Sequence, residues 1–159
     1  MADRIDRSDT GRVLVSDYKT GKGAQYKGLG ADGDDPVRGG TLLQLGIYAE
    51  AALQQLDATE ADAHYWMING DVAFARFGYR WTPERRQRLI DVVTTIVDGI
   101  DAGIFPAVPG EWNNFRNTHE NCTYCEFDRV CSRDRGEHAE AKVGAPELRI
   151  RERLLPEAP

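Results

Sequence analysis

No run of this sequence is apolar for long enough to cross a bilayer, and no charged-then-apolar leader opens it, so a cytoplasmic chain with no membrane partner is the expectation. Positive charge is also short. Lys and Arg number 20 against 26 Asp and Glu, a formal net charge of −6, which excludes a protein that coats nucleic acid by bulk charge but leaves room for a local patch or a metal ion. Cysteine is scarce: there are three, all between positions 122 and 131. Three cannot pair without a remainder, and their clustering reads as metal ligation in a reducing compartment more than as a disulfide framework. No internal repeat is visible.

What remains is an ordinary globular composition, 41% apolar and 29% charged over 159 residues, enough for one domain. Residues 3–7 and 12–19 read as strands joined by Ser8-Asp9-Thr10-Gly11, all turn formers. The glycine- and aspartate-rich segment 21–40 has a composition that cannot pack a core, and it reads as a mobile surface loop. Leu45, Tyr48, Ala52 and Leu56 recur at helical spacing within 41–56. A second hairpin, 63–69 with 72–81, turns at Asn69-Gly70-Asp71. Thr82-Pro83 then opens a helix whose core stripe is Leu89, Val93, Ile96 and Ile100, with Gly103 near its end. After 105 the chain turns irregular, and 136–159 reads as a polar tail. His64 and His138 read as surface residues.

The chemistry begins in "VSDYKT". Residues two apart on a strand share a face, so Asp17 and Lys19 point the same way as Val13 and Val15. An isolated D-x-K is ordinarily a rim ion pair. Asp3 and Asp6 on the preceding strand change that, because a second carboxylate there would make an oxygen cage for a divalent cation, with the lysine beside a water. The two have opposite parity. A five-residue connection sets Asp3 opposite Asp17, a four-residue one turns Asp6 inward, and the sequence leaves the register open.

"ADRIDR", then "VLVSDYKTGK", then "LLQLGIYAEAAL" together resemble the RecB/AddB-type nuclease domain of the PD-(D/E)XK superfamily. The resemblance implies an α/β fold with α+β character: a restriction-endonuclease-like core, a central mixed sheet flanked by helices, over residues 1–135. It implies a DNA nuclease, single-strand or end-directed, working in repair or recombination and possibly with a helicase subunit. Its site would be Asp3, Asp17, Lys19, Gln44 and Tyr48, with Mg²⁺ or Mn²⁺ held by Asp3, Asp17 and the carbonyl of Tyr18. Gln44 and Tyr48, four apart, share a helix face.

Cys122-x2-Cys125-x5-Cys131 would, by the same resemblance, hold a [4Fe–4S] cluster whose fourth ligand is missing from this sequence; a Cys3His zinc site completed by His119 is the alternative. The family's first helix and strand are also missing ahead of Asp3, so a fragment is expected. The rival function is accordingly a catalytically inactive, metal-stapled docking piece. Arg76, Arg80 and Lys22 are candidate DNA contacts, set against the plainer reading of Phe77, Tyr79 and Trp81 facing inward and the arginines solvated.

Overall fold

The computed structural model describes residues 2–127 and 129–154, with the backbone alone at Glu147; the final five residues of the expected tail, 155–159, lie outside the described residues. The described residues divide into two compact units, one of residues 2–96 with Leu154 and one within residues 97–153.

The first unit is built on one sheet in the order β1-β2-β3-β4, with β1 at Arg4–Arg7, β2 at Val13–Lys19, β3 at Ala61–Met67 and β4 at Arg76–Trp81. β1 and β4 run antiparallel to their neighbours, whereas β2 and β3 are parallel. A parallel pair needs a crossover, and α1 (Gln44–Gln55) supplies it. α2 (Pro83–Asp101) follows β4. It is the expected class, a mixed sheet flanked by helices.

Period-two alternation fixes which face is core. On β3, Ala61, Ala63, Tyr65 and Met67 are buried while Asp62, His64 and Trp66 are half-buried. The buried set joins Val13 and Val15 of β2, Tyr79 and Trp81 of β4, Leu45, Ala49 and Ala52 of α1, and Leu89 and Val92 of α2. Gly46 brings α1 close to Trp81 and Leu89: a Cβ there would lie 3.0 Å from the indole. Thr82 Oγ1 accepts the Arg85 N–H at 3.4 Å, and Pro83 takes the first helical position.

Four expectations need correcting. The segment 21–40 is not a free loop, because Tyr26, Leu29 and Val37 are buried in the core cluster. Its Asp35 is held in place: Arg88 binds it at 2.8 Å, and it also accepts the N–H groups of Gly39 and Val37. Burial opposes ionisation of Asp35, but Arg88 and these N–H donors outweigh it and hold the carboxyl below its ordinary range. The second hairpin exists, but β4 begins at Arg76, because Asn69 accepts the Asp71 N–H and caps a short 3-10 turn at Gly70–Val72. Ile100, expected in the core stripe, is 52% exposed, and Val92 takes a core place instead. His64 is half-buried, and burial lowers its pKa.

The second unit carries the short antiparallel pair β5 (Trp112–Asn113) and β6 (Thr118–His119), then α3 (Arg135–Ala141) and α4 (Arg149–Glu152). The expected polar tail is thus largely helical over its described part.

Gly78 pairs with His64, and a Cβ on Gly78 would stand 2.0 Å from the Ala63 carbonyl oxygen. Backbone cannot yield there as a side chain would. Gly78→Ala is expected to lower stability by about 1–3 kcal/mol, read as a lower urea midpoint with an unchanged slope.

Candidate active site

β2 is an interior strand, and Asp17 lies near its carboxyl end, 4% exposed. The β1–β2 register pairs Arg4 with Ser16 and Arg7 with Val13, leaving residues 8–12 as a five-residue connection. Continued by one residue, it sets Asp3 opposite Asp17. Asp3 is anchored there, its Oδ2 accepting the Tyr18 N–H at 2.7 Å. Asp6 falls opposite Leu14 and is taken by Arg4, 2.6 Å away at the surface. Hairpin length settles what parity could not.

A carboxylate this buried needs compensation. Lys19 Nζ stands 2.6 Å from Asp17 Oδ2, an ion pair that lies outside ideal hydrogen-bond alignment. The ammonium instead donates to Gln44 Oε1 at 3.0 Å, and Gln44 Nε2 donates to the Tyr48 hydroxyl at 3.1 Å. Gln44 is the first residue of α1, and Tyr48 is one turn on. One polar chain thus runs Asp17, Lys19, Gln44, Tyr48 from strand end to helix start. Burial alone would lower the Lys19 pKa; the Asp17 carboxylate outweighs it, and the ammonium is held above its ordinary value.

Two residues that sequence reasoning passed over complete the surroundings. Tyr65 of β3 lies opposite Asp17 in the parallel register, and Lys19 Nζ sits over its ring, 5.2 Å from the centroid. Tyr26, from the glycine-rich segment, stacks on Tyr65 at 4.2 Å. The available signal was size: Tyr65 is the one aromatic among the inward-facing Ala61, Ala63 and Met67.

Two of the candidate DNA contacts, Arg76 and Arg80, lie on the other face of the sheet. Arg76 pairs with Trp66 in register, so it is on the sheet face opposite Asp17, with its guanidinium 3.9 Å from the indole centroid. Arg80 shares that face and is bound to Glu60 at 3.2 Å. Lys22 is exposed in the glycine-rich segment.

In the second unit, Cys122 is half-buried while Cys125 and Cys131 are exposed, all three as free thiols. The Cys125 N–H donates to the Cys122 carbonyl at 3.2 Å, closing a turn. His119 Nδ1 is 2.9 Å from the Gly110 carbonyl, and the imidazole packs against Trp112. Among the described residues no three His, Cys, Asp or Glu side chains are grouped to hold a metal. The cluster and zinc expectations therefore find no support in this geometry.

For a divalent cation at β2 the donors do suit. Mg²⁺ is commonly held by one or two carboxylates with substrate phosphate and water completing the shell, so two carboxylates suffice. Asp17 Oδ2 offers a hard oxygen with no hydrogen bond, and Asp3 stands beside it.

A family model of the PD-(D/E)XK nuclease superfamily matches residues 1–132. Comparison with curated proteins and with solved structures gave no match.

The opposing influences on Lys19 give a signed test. Asp17→Asn removes the largest raising influence and leaves burial opposed only by Tyr26 and Asp3, so the Lys19 pKa is expected to fall from its value in the parent, followed by NMR titration of the side chain. A pKa raised on folding contributes stability that is present below the unfolded value and lost as pH climbs through the folded one. The parent should therefore lose this contribution above about pH 10, and the variant should lose less.

Proposed function

The chain belongs to the PD-(D/E)XK nuclease superfamily, whose members are generally nucleases, and from that premise we propose that Asp3, Asp17, Lys19, Gln44 and Tyr48 form a site that hydrolyses DNA phosphodiester bonds. The observation that carries the proposal is the convergence of Asp3, Lys19, Gln44 and Tyr48 on the buried Asp17 at the end of β2, with the Lys19 ammonium 2.6 Å from its Oδ2.

Asp3, Asp17 and the Tyr18 carbonyl would hold Mg²⁺ or Mn²⁺. Such an ion polarises a phosphoryl oxygen and lowers the pKa of water when bound. The chain's own groups do the rest. Lys19, held protonated by Asp17, stabilises negative charge gathering on the phosphate and orients the attacking water. Gln44 fixes the ammonium through its Oε1, and Tyr48 in turn fixes the Gln44 amide. Asp3, bonded to the backbone of Tyr18, keeps its carboxylate at the strand end.

The finer parts of the reading rest on the RecB/AddB resemblance: attack on single strands or ends, a place in repair or recombination, a helicase partner, and a [4Fe–4S] cluster on Cys122, Cys125 and Cys131. One structural observation favours the rival, a non-catalytic docking piece. No third acidic or histidine side chain joins Asp3 and Asp17 among the described residues.

End-labelled single-stranded DNA with Mg²⁺ or Mn²⁺ separates the two. The parent should cleave, chelation should stop it, and Lys19→Ala should lower the rate by about 10²-fold or more without unfolding the protein. A folded parent that leaves the DNA intact establishes the docking piece. Iron and acid-labile sulfide in protein purified without oxygen are expected if the cysteines carry a cluster. One equivalent of zinc without iron removes that assignment.

A further inference from the structure

We propose that Tyr26 is a positioning residue for Lys19, acting through the ring of Tyr65 and itself held by Arg38. The glycine-rich segment thereby sets where the ammonium stands. In its catalytic consequence this rests on the nuclease reading of the site; in its geometry it does not.

Lysine has a long, freely rotating stem, and one hydrogen bond to Gln44 does not fix its end. The contact with Asp17 is off-angle. Beside the ion pair with Asp17, a further restraint is the face of Tyr65, 5.2 Å from the nitrogen. Tyr65 is 2% exposed and lies opposite Asp17 in the parallel register. Its ring is covered by Tyr26 at 4.2 Å and an interplanar angle of 26°. Tyr65 therefore links Tyr26 to the ammonium.

Tyr26 needs its own anchor, because Gly23 and Gly28 flank the short turn that carries it. Arg38 provides it. The guanidinium donates to the carbonyls of Gln25 and Lys27, the residues on either side of Tyr26, the latter at 2.7 Å. Arg38 does so from a left-handed backbone at φ 42°. A β-carbon-bearing residue adopts that conformation at a cost, and a residue serving only solubility would not keep it.

Three variants test the chain of contacts: Tyr26→Phe, Tyr26→Leu and Arg38→Gly, the last keeping the backbone conformation while removing the grip. The first readout needs no catalysis. The Lys19 ε-CH₂ protons, assigned by comparison with Lys19→Ala, should resonate upfield of ordinary lysine because of the Tyr65 ring. They should stay there in Tyr26→Phe and move back toward the ordinary position in Tyr26→Leu and Arg38→Gly. The second readout is kinetic. Tyr26→Leu and Arg38→Gly should lower kcat by about tenfold or more with KM for DNA unchanged, and Tyr26→Phe should restore kcat. An unmoved ε-CH₂ signal in folded Arg38→Gly overturns the proposal, as does a Tyr26→Phe protein as impaired as Tyr26→Leu. A parent that cleaves no DNA overturns the nuclease reading alone, since the spectral readout still decides this one.

Discussion

The structure turns on one buried charge. Asp17 sits at 4% exposure on an interior strand, where an uncompensated carboxylate costs several kcal/mol. Lys19 can offset that only if its own charge is accommodated, which requires Gln44 at hydrogen-bonding distance. Gln44 is the first residue of α1, so α1 must begin where β2 ends, and the crossover must return the chain to β3 parallel to β2. The topology that makes the site is thus the topology that makes the charge tolerable.

Much of this was legible in the sequence because it depends on short-range periodicity. The i, i+2 spacing of Asp17 and Lys19 and the i, i+4 spacing of Gln44 and Tyr48 place each pair on one face whatever the tertiary details. The choice between Asp3 and Asp6 was not legible, since it hangs on a single residue of hairpin length. Segment 21–40 misled for a different reason. Its average composition is that of a solvated loop, and an average conceals three apolar side chains, Tyr26, Leu29 and Val37, placed where the turns bring them inward. Tyr65 was missed because an aromatic in an inward position on a strand is ordinary core; only the register opposite Asp17 gives it another neighbour.

The cysteines show the limit of spacing as an argument. Two residues between Cys122 and Cys125 allow a turn, and the turn is present. Spacing says that ligands can approach, not that they converge. His119, the alternative zinc ligand, is engaged by Gly110 and Trp112 within the second unit. Around these residues Phe115, Tyr124, Phe127 and Val130 are exposed. The apolar burial that would fix this segment independently of a metal is small.

Magnitudes explain why the glycine-rich segment holds its shape without a core of its own. A non-glycine residue in the left-handed region costs about 1–2 kcal/mol. Each hydrogen bond from a charged donor returns about 1.5–3 kcal/mol, and Arg38 makes two to backbone carbonyls while its guanidinium also lies near Asp34. The balance favours the strained conformation. The same logic recurs at Asp35, where Arg88 and two backbone N–H groups meet one carboxylate, and at Gly30, whose carbonyl accepts from Arg85. Arg38, Arg85 and Arg88 thus each bind backbone or carboxylate groups of this one segment. The segment they hold is the one that carries Tyr26 to the ring beneath Lys19.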